Sequence, residues 1–122
     1  MSTTAENNML CDQLLNQKIQ EGKVMEAFEE FYADDVSMQE NDDPPIAGKD
    51  ANRKREEEFG DQIEQFHGAE CRSHGAGGDQ TFSEWSYDMT LKGVGRVKMN
   101  EVAVRTWRDG KIVNEHFYYN RG

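Results

Sequence analysis

Apolar side chains recur every three or four positions over the first third of the chain and every second position over most of the rest. From about Thr4 to Gln20, Leu10, Cys11, Leu14, Leu15 and Ile19 form one stripe, which predicts an amphipathic helix. Gly22 follows where a left-handed residue commonly ends a helix. Val24, Phe28, Phe31 and Tyr32 share a face of a second, shorter helix that ends at Asp34 and Asp35. The period then drops to two. Val36, Met38 and Glu40 alternate with Ser37 and Gln39, a short strand with Glu40 on its apolar side. Asn41-Asp42-Asp43-Pro44-Pro45 is a loop. Asp50 is placed to cap a third helix of about Ala51 to Gln65, which would bury Phe59, Ile63 and Phe66 and leave Arg53 to Glu58 as a solvated face.

Beyond Phe66 the pattern predicts four strands, about His67 to His74, Thr81 to Lys92, Arg96 to Arg108 and Lys111 to Asn120, separated by glycine-containing turns. Asp109-Gly110 is a strong hairpin signal, because both central residues of a type I′ turn need positive φ. That turn sets a register in which Arg108 faces Lys111, Trp107 faces Ile112, Arg105 faces Asn114, Ala103 faces His116 and Glu101 faces Tyr118. One face then carries Val97, Met99, Glu101, Ala103, Arg105 and Trp107 with Ile112, Asn114, His116 and Tyr118. The other carries Val102, Val104 and Thr106 with Val113, Phe117 and Tyr119, and Glu115 as its central charge. Neither reads as a plain solvent face. We therefore expect helices over the mixed face, around a pocket, and a second subunit over the smoother one. Helices followed by a meander indicate the α+β class, in one domain spanning residues 1–122.

The formal charge of -10 disfavours nucleic acid and anionic membranes as partners. No run of apolar residues is long enough to span a bilayer, and Met1 to Asn8 has no leader-like pattern, so a cytoplasmic location is expected. Cys11 and Cys71 could form one bridge, but Cys11 sits on a helix stripe as a small core residue would. Cys71 and His74 would point to opposite faces of one strand, where a metal site needs three or four convergent ligands, and Gly75-Ala76-Gly77-Gly78 lacks the context of a phosphate loop.

The order of elements, Phe31-Tyr32-Ala33-Asp34-Asp35-Val36, the Gly48-Lys49-Asp50 helix entry and Trp107-Arg108-Asp109-Gly110-Lys111-Ile112 together give the chain a family likeness. It resembles the SnoaL-like branch of the superfamily that holds nuclear transport factor 2 and ketosteroid isomerase. The resemblance implies a cone-shaped curved sheet wrapped around a helix, a hydrophobic pocket at one end, and a homodimer packed sheet on sheet through Val102, Val104, Phe117 and Tyr119. It places Glu40 where ketosteroid isomerases carry an aspartate base. The oxyanion-donating acid of those enzymes maps near Ala103, which argues against steroid isomerisation.

Glu101, Arg105, His116 and Tyr118 fall on one predicted face, with Glu40 approaching from the rim. A carboxyl in an apolar pocket gains proton affinity through desolvation, which suits it to acid–base work. Glu40, Glu101 and His116 are therefore the catalytic candidates. Tyr32, Trp85, Tyr87, Arg105, Trp107 and Tyr118 are candidates to contact a neutral, largely hydrophobic small molecule, and no cofactor or metal is called for. Two classes stay open. One is an acid–base enzyme of the cyclase, isomerase, dehydratase or hydrolase kind; the other is a non-catalytic binder of a small ligand or a protein, with Glu101 and Arg105 as a structural pair.

Overall fold

The computed structural model describes residues 4–121; Met1 to Thr3, part of the stretch read above for a leader, and Gly122 lie outside the described residues. The elements run α1 (Thr4–Gln20), α2 (Val24–Phe31), β1 (Tyr32–Glu40), β2 (Ile46–Ala47), α3 (Lys49–Gln62), β3 (Ile63–Gly77), β4 (Gln80–Leu91), β5 (Gly95–Arg108) and β6 (Lys111–Tyr119). The strands form one curved, unclosed sheet in the order β2-β1-β6-β5-β4-β3, the α+β architecture expected. β1 runs parallel to β6 and every other neighbour is antiparallel.

Local chemistry accounts for the joints. Gly22, at φ 80°, closes α1 in a Schellman motif: its N–H bonds Ile19 O at 3.0 Å and the Lys23 N–H bonds Lys18 O at 2.8 Å. Asp109 and Gly110 both have positive φ, 52° and 77°, as the hairpin requires. α3 begins after Gly48 with no side-chain cap from Asp50. Instead the buried Asn52 amide donates to Gly48 O at 2.8 Å and Ile46 O at 2.9 Å, tying the helix start to the loop before it. The helix also stops earlier than the periodicity predicts, so Ile63 and Phe66 belong to β3.

The stripe on α1 is rotated from its expected position. Leu15 and Ile19 are buried, but Leu10 and Leu14 are more than half exposed, and the inward face also carries Asn8, Asp12 and Asn16. These three polar residues stand four apart on one helical line. Asp12 and Asn16 turn inward to a buried arginine on the sheet, Arg105, while the buried Asn8 Nδ2 has no hydrogen-bond partner among the described residues. Around them Phe28, Phe31, Val36, Met38, Trp85, Trp107 and Ile112 form the core. The core sits between the helices and the concave face.

The β5–β6 register departs from the prediction after one step. Arg108 faces Lys111 and Trp107 faces Ile112, but a bulge then lets Thr106 face Asn114, so Arg105 meets Glu115, Val104 meets His116, Ala103 meets Phe117 and Glu101 meets Tyr119. One extra residue exchanges the two faces of β6. Glu115, Phe117 and Tyr119 point inward, while His116 and Tyr118 join Val102 and Val104 outside. Phe117 and Tyr119 are therefore cavity residues, not part of an outer apolar face.

Candidate functional site

Between the helices and the concave sheet lies a cavity of about 780 Å³. α1, α2 and α3 contribute Leu15, Ile19, Phe28 and Phe59; the sheet contributes Tyr32, Met38, Phe66, Tyr87, Met89, Val97, Met99, Phe117 and Tyr119. Apolar carbon dominates this wall. Into it point Glu40 from β1, Arg55 and Glu56 from α3, Glu101 and Arg105 from β5, and Glu115 from β6.

Arg105 is spoken for. Its Nε donates to Glu115 Oε2 at 2.7 Å, and its Nη1 donates to Asp12 Oδ1 at 2.7 Å and to Asn16 Oδ1 at 2.6 Å. Tyr32 donates its hydroxyl to the other Glu115 oxygen at 2.5 Å, and Thr81 donates to Asp12 Oδ1 at 2.9 Å. The Trp107 indole then donates to Thr81 at 2.8 Å. Every member is buried. Burial opposes the guanidinium charge, yet Glu115, Tyr32 and Asp12 together hold Arg105 firmly protonated, and burial followed by the Glu115 charge pushes the Tyr32 hydroxyl well up. A buried guanidinium needs such saturation, since each unpaired charge in a low-dielectric interior is costly.

Glu101 is the contrast. Its side chain is about nine-tenths buried on the same concave face, but among the described residues it has neither a hydrogen bond nor an ion pair. Burial, then the neighbouring Glu115 and Glu40 charges, push its carboxyl up to about 8, against a smaller opposing effect from Arg105. Glu56 is pushed up to about 7 by burial, with Arg55 opposing and Glu115 and Glu40 adding. Arg55 stands 4.0 Å from Glu40 and 3.6 Å from Glu56, so one guanidinium serves two carboxyls at salt-bridge range. At neutral pH the arrangement holds a protonated carboxylic acid in an apolar wall, beside carboxylates that resist its ionisation.

The placement of the candidates follows. Glu40, Glu101, Tyr32, Tyr87 and Arg105 line one cavity. His116 and Tyr118 do not: the bulge puts them on the convex face, where His116 Nε2 lies 2.7 Å from Asn41 O and Tyr118 is about half exposed. Trp85 and Trp107 are fully packed core residues whose indoles bond Ser83 and Thr81, outside the cavity wall. Arg105 is a structural ion-pair residue, as one reading allowed, but its partners are Glu115 and Asp12 in place of Glu101. The sequence reading missed Asp12, Asn16, Glu56 and Glu115. The line of Asn8, Asp12 and Asn16 at helical spacing was the available signal for the first two. Among the described residues, no group of three or more His, Cys, Asp or Glu side chains is placed to hold a metal ion.

The curved α+β sheet with helices over its concave face has the fold of nuclear transport factor 2-like and ketosteroid isomerase-like structures. A family profile for the SnoaL-like domain matches residues 6–119, and the chain belongs to that family. A Mesorhizobium loti structure, provisionally called a SnoaL-like polyketide cyclase and carbohydrate phosphatase, is 30% identical with TM-score 0.82, over 97% of this chain and 100% of that one. A provisional isomerase from Bacillus subtilis is 17% identical with TM-score 0.79, over 98% and 90% of the two chains. A Catenulispora acidiphila protein with a ketosteroid isomerase-like fold, solved in complex with trimethylamine, is 16% identical with TM-score 0.68, over 78% and 74%. Among proteins of curated function, none matches the chain. Among the described residues, no helix is long and apolar enough to cross a membrane.

Proposed function

We propose that this chain is a small-molecule pocket protein in which Glu101 carries out general acid–base work on a largely hydrophobic substrate that brings no negative charge, in a reaction of the cyclase, isomerase, dehydratase or hydrolase kind. The observation that carries the reading is a carboxyl about nine-tenths buried, facing the cavity, with no partner among the described residues to lock it in place. Desolvation and neighbouring carboxylates bring its proton affinity near neutrality, where donation and acceptance both proceed. Glu40 stands at the same cavity and tunes Glu101 through its charge. Ala103, where the resemblance places the oxyanion-donating acid of ketosteroid isomerases, carries no acid, and the carboxyls of raised proton affinity at this cavity are Glu101 and Glu56.

A binder without turnover is the second reading, supported by the trimethylamine held by the Catenulispora relative, a small molecule in the same fold. We also propose a homodimer through the convex face, now composed of Phe82, Val102, Val104 and Tyr118, of which Phe82, Val102 and Tyr118 are well exposed.

The test is a thermal-shift screen of ring-containing small molecules, with every hit incubated in D2O and followed by NMR for deuterium uptake at carbon. Exchange by wild type that Glu101→Gln abolishes, with binding retained, supports acid–base catalysis. Binding with no exchange in either protein supports the binder. Equal exchange by both proteins rules Glu101 out.

A further inference from the structure

We infer that the occupant of the cavity is a hydrophobic amine, its ammonium group set among Glu101, Glu40 and Glu56 and its carbon skeleton against the apolar wall. The inference rests on the pocket reading above and names the ligand class for the same site.

The charge balance of the lining leads there. Arg105 is consumed by Glu115 and Asp12, each at 2.7 Å, and acts on Glu101 only as a charge that is outweighed by burial and the neighbouring carboxylates. Arg55 is left to serve Glu40 and Glu56, and its contacts to them, at 4.0 Å and 3.6 Å, are longer than hydrogen bonds. Two carboxyls thus share one loosely engaged guanidinium, and Glu101 beside them has no cation in contact among the described residues. Glu101, about nine-tenths buried and unpartnered among the described residues, faces the cavity and can accept an N–H. An anionic ligand would meet Glu40 and the ionised share of Glu56 with repulsion, and a neutral one would leave the carboxyls holding protons where a cation could stand. A cation of apolar build satisfies both the carboxyls and the wall, and the Tyr87 ring on β4 offers an aromatic surface of the kind cations favour.

The other charged groups lining the cavity do not change this. Lys23, just before α2, stands 3.8 Å from Glu21, and Glu26 is held by Lys18 at 3.0 Å. Burial and its neighbours keep Glu101 protonated at neutral pH, so binding an ammonium there displaces a proton. The O–H bond of Glu101 breaks, its proton passes to water, and the carboxylate accepts a hydrogen bond from the ammonium, which keeps its own protons.

Calorimetric titration of the intact chain with adamantylamine, adamantanol and adamantane carboxylate tests this on one carbon skeleton with three head groups. The expected order is amine tightest and carboxylate weakest, with the amine ahead of the alcohol by about tenfold at pH 8. Amine affinity should climb toward about tenfold per pH unit between about pH 6 and about pH 8, and buffers of different ionisation enthalpy should report close to one proton released. Glu101→Gln should remove the larger part of the pH dependence and of the proton release, and Glu56→Gln should weaken the amine preference and remove the smaller part that Glu56, raised to about 7, contributes below pH 7. The wild-type proton count stands even if a variant fails to fold. Alcohol binding as tight as amine overturns the inference and leaves the pocket reading intact. No binding by any of the three overturns both.

Discussion

Glu115 and Glu101 are both glutamates on the concave face of neighbouring strands, both buried and both at the cavity wall, yet the fold treats them oppositely. Glu115 has an arginine on one oxygen and a tyrosine hydroxyl on the other. Glu101 has neither among the described residues, and the charge of Glu115 makes its ionisation harder. Burial alone does not mark a carboxyl as functional. What separates the two is satisfaction: a fully paired carboxylate is fixed in geometry and charge, while an unpaired one keeps its proton free to move.

The comparison breaks most violently at Arg105. Arg105→Leu leaves Asp12 and Glu115 as buried charges without a cation, and removal of one partner from such a group costs about 3–5 kcal/mol. Urea denaturation should show that loss, with the variant partly unfolded in water if overall stability is modest.

Next in size is the pH dependence that Glu101 imposes. Its folded proton affinity, about 8, lies above the ordinary carboxyl value of 4.5, so the native state binds the extra proton between those limits. Stability is therefore full below about pH 4.5 and declines as pH rises toward 8, by at most about 1.4 kcal/mol per pH unit. Glu56, raised to about 7, adds in the same direction. Glu101→Gln should flatten much of the slope and, at pH 8, be more stable than wild type, which denaturation midpoints across pH will read. A variant less stable than wild type at pH 8 would mean that Glu101 has a structural partner after all.

Tyr32→Phe is smaller. It removes one hydroxyl and leaves a buried Glu115 oxygen unsatisfied, at a cost of about 1–3 kcal/mol, with ligand binding at Glu101 little altered.

Much of the fold could be read in advance because its signals are local. Gly22 and Asp109-Gly110 dictate backbone conformations that only certain residues adopt, and the inward alternation of Val36, Met38 and Glu40 was visible at once. The site was less legible because each error was a matter of phase. An inserted position in β6 leaves the alternation of residue types intact, so no pattern of hydrophobicity reports a bulge; it inverted the assignment of Glu115, His116, Phe117, Tyr118 and Tyr119 together. On α1, a stripe of leucines outweighed a line of Asn8, Asp12 and Asn16, and for Asp12 and Asn16 the reason for being inside lies far along the chain, 89 residues away from Asn16, on Arg105. Glu56 looked like one more surface charge. Its elevated proton affinity arises from the cavity that α3 closes, a property of the assembled fold.

The smallest effect is the one that best isolates the register. His116 and Glu115 are adjacent, and the bulge decides which of them faces the ligand. With His116 on the convex face, its ring bonded to Asn41 O at 2.7 Å and stacked on Tyr118, His116→Ala loses a partly buried hydrogen bond and an exposed aromatic contact, about 1 kcal/mol in all. Binding in the cavity should stay within about twofold of wild type, since no atom of the wall is removed. The unbulged register would instead put the imidazole beside Glu101, and the same substitution would then strip a polar group from the pocket and change affinity about tenfold or more. Calorimetry of His116→Ala with whichever ligand the wild type binds therefore measures the phase of β6 directly. An affinity that moves with His116 would return the imidazole to the site and displace Glu115 from its pairing with Arg105.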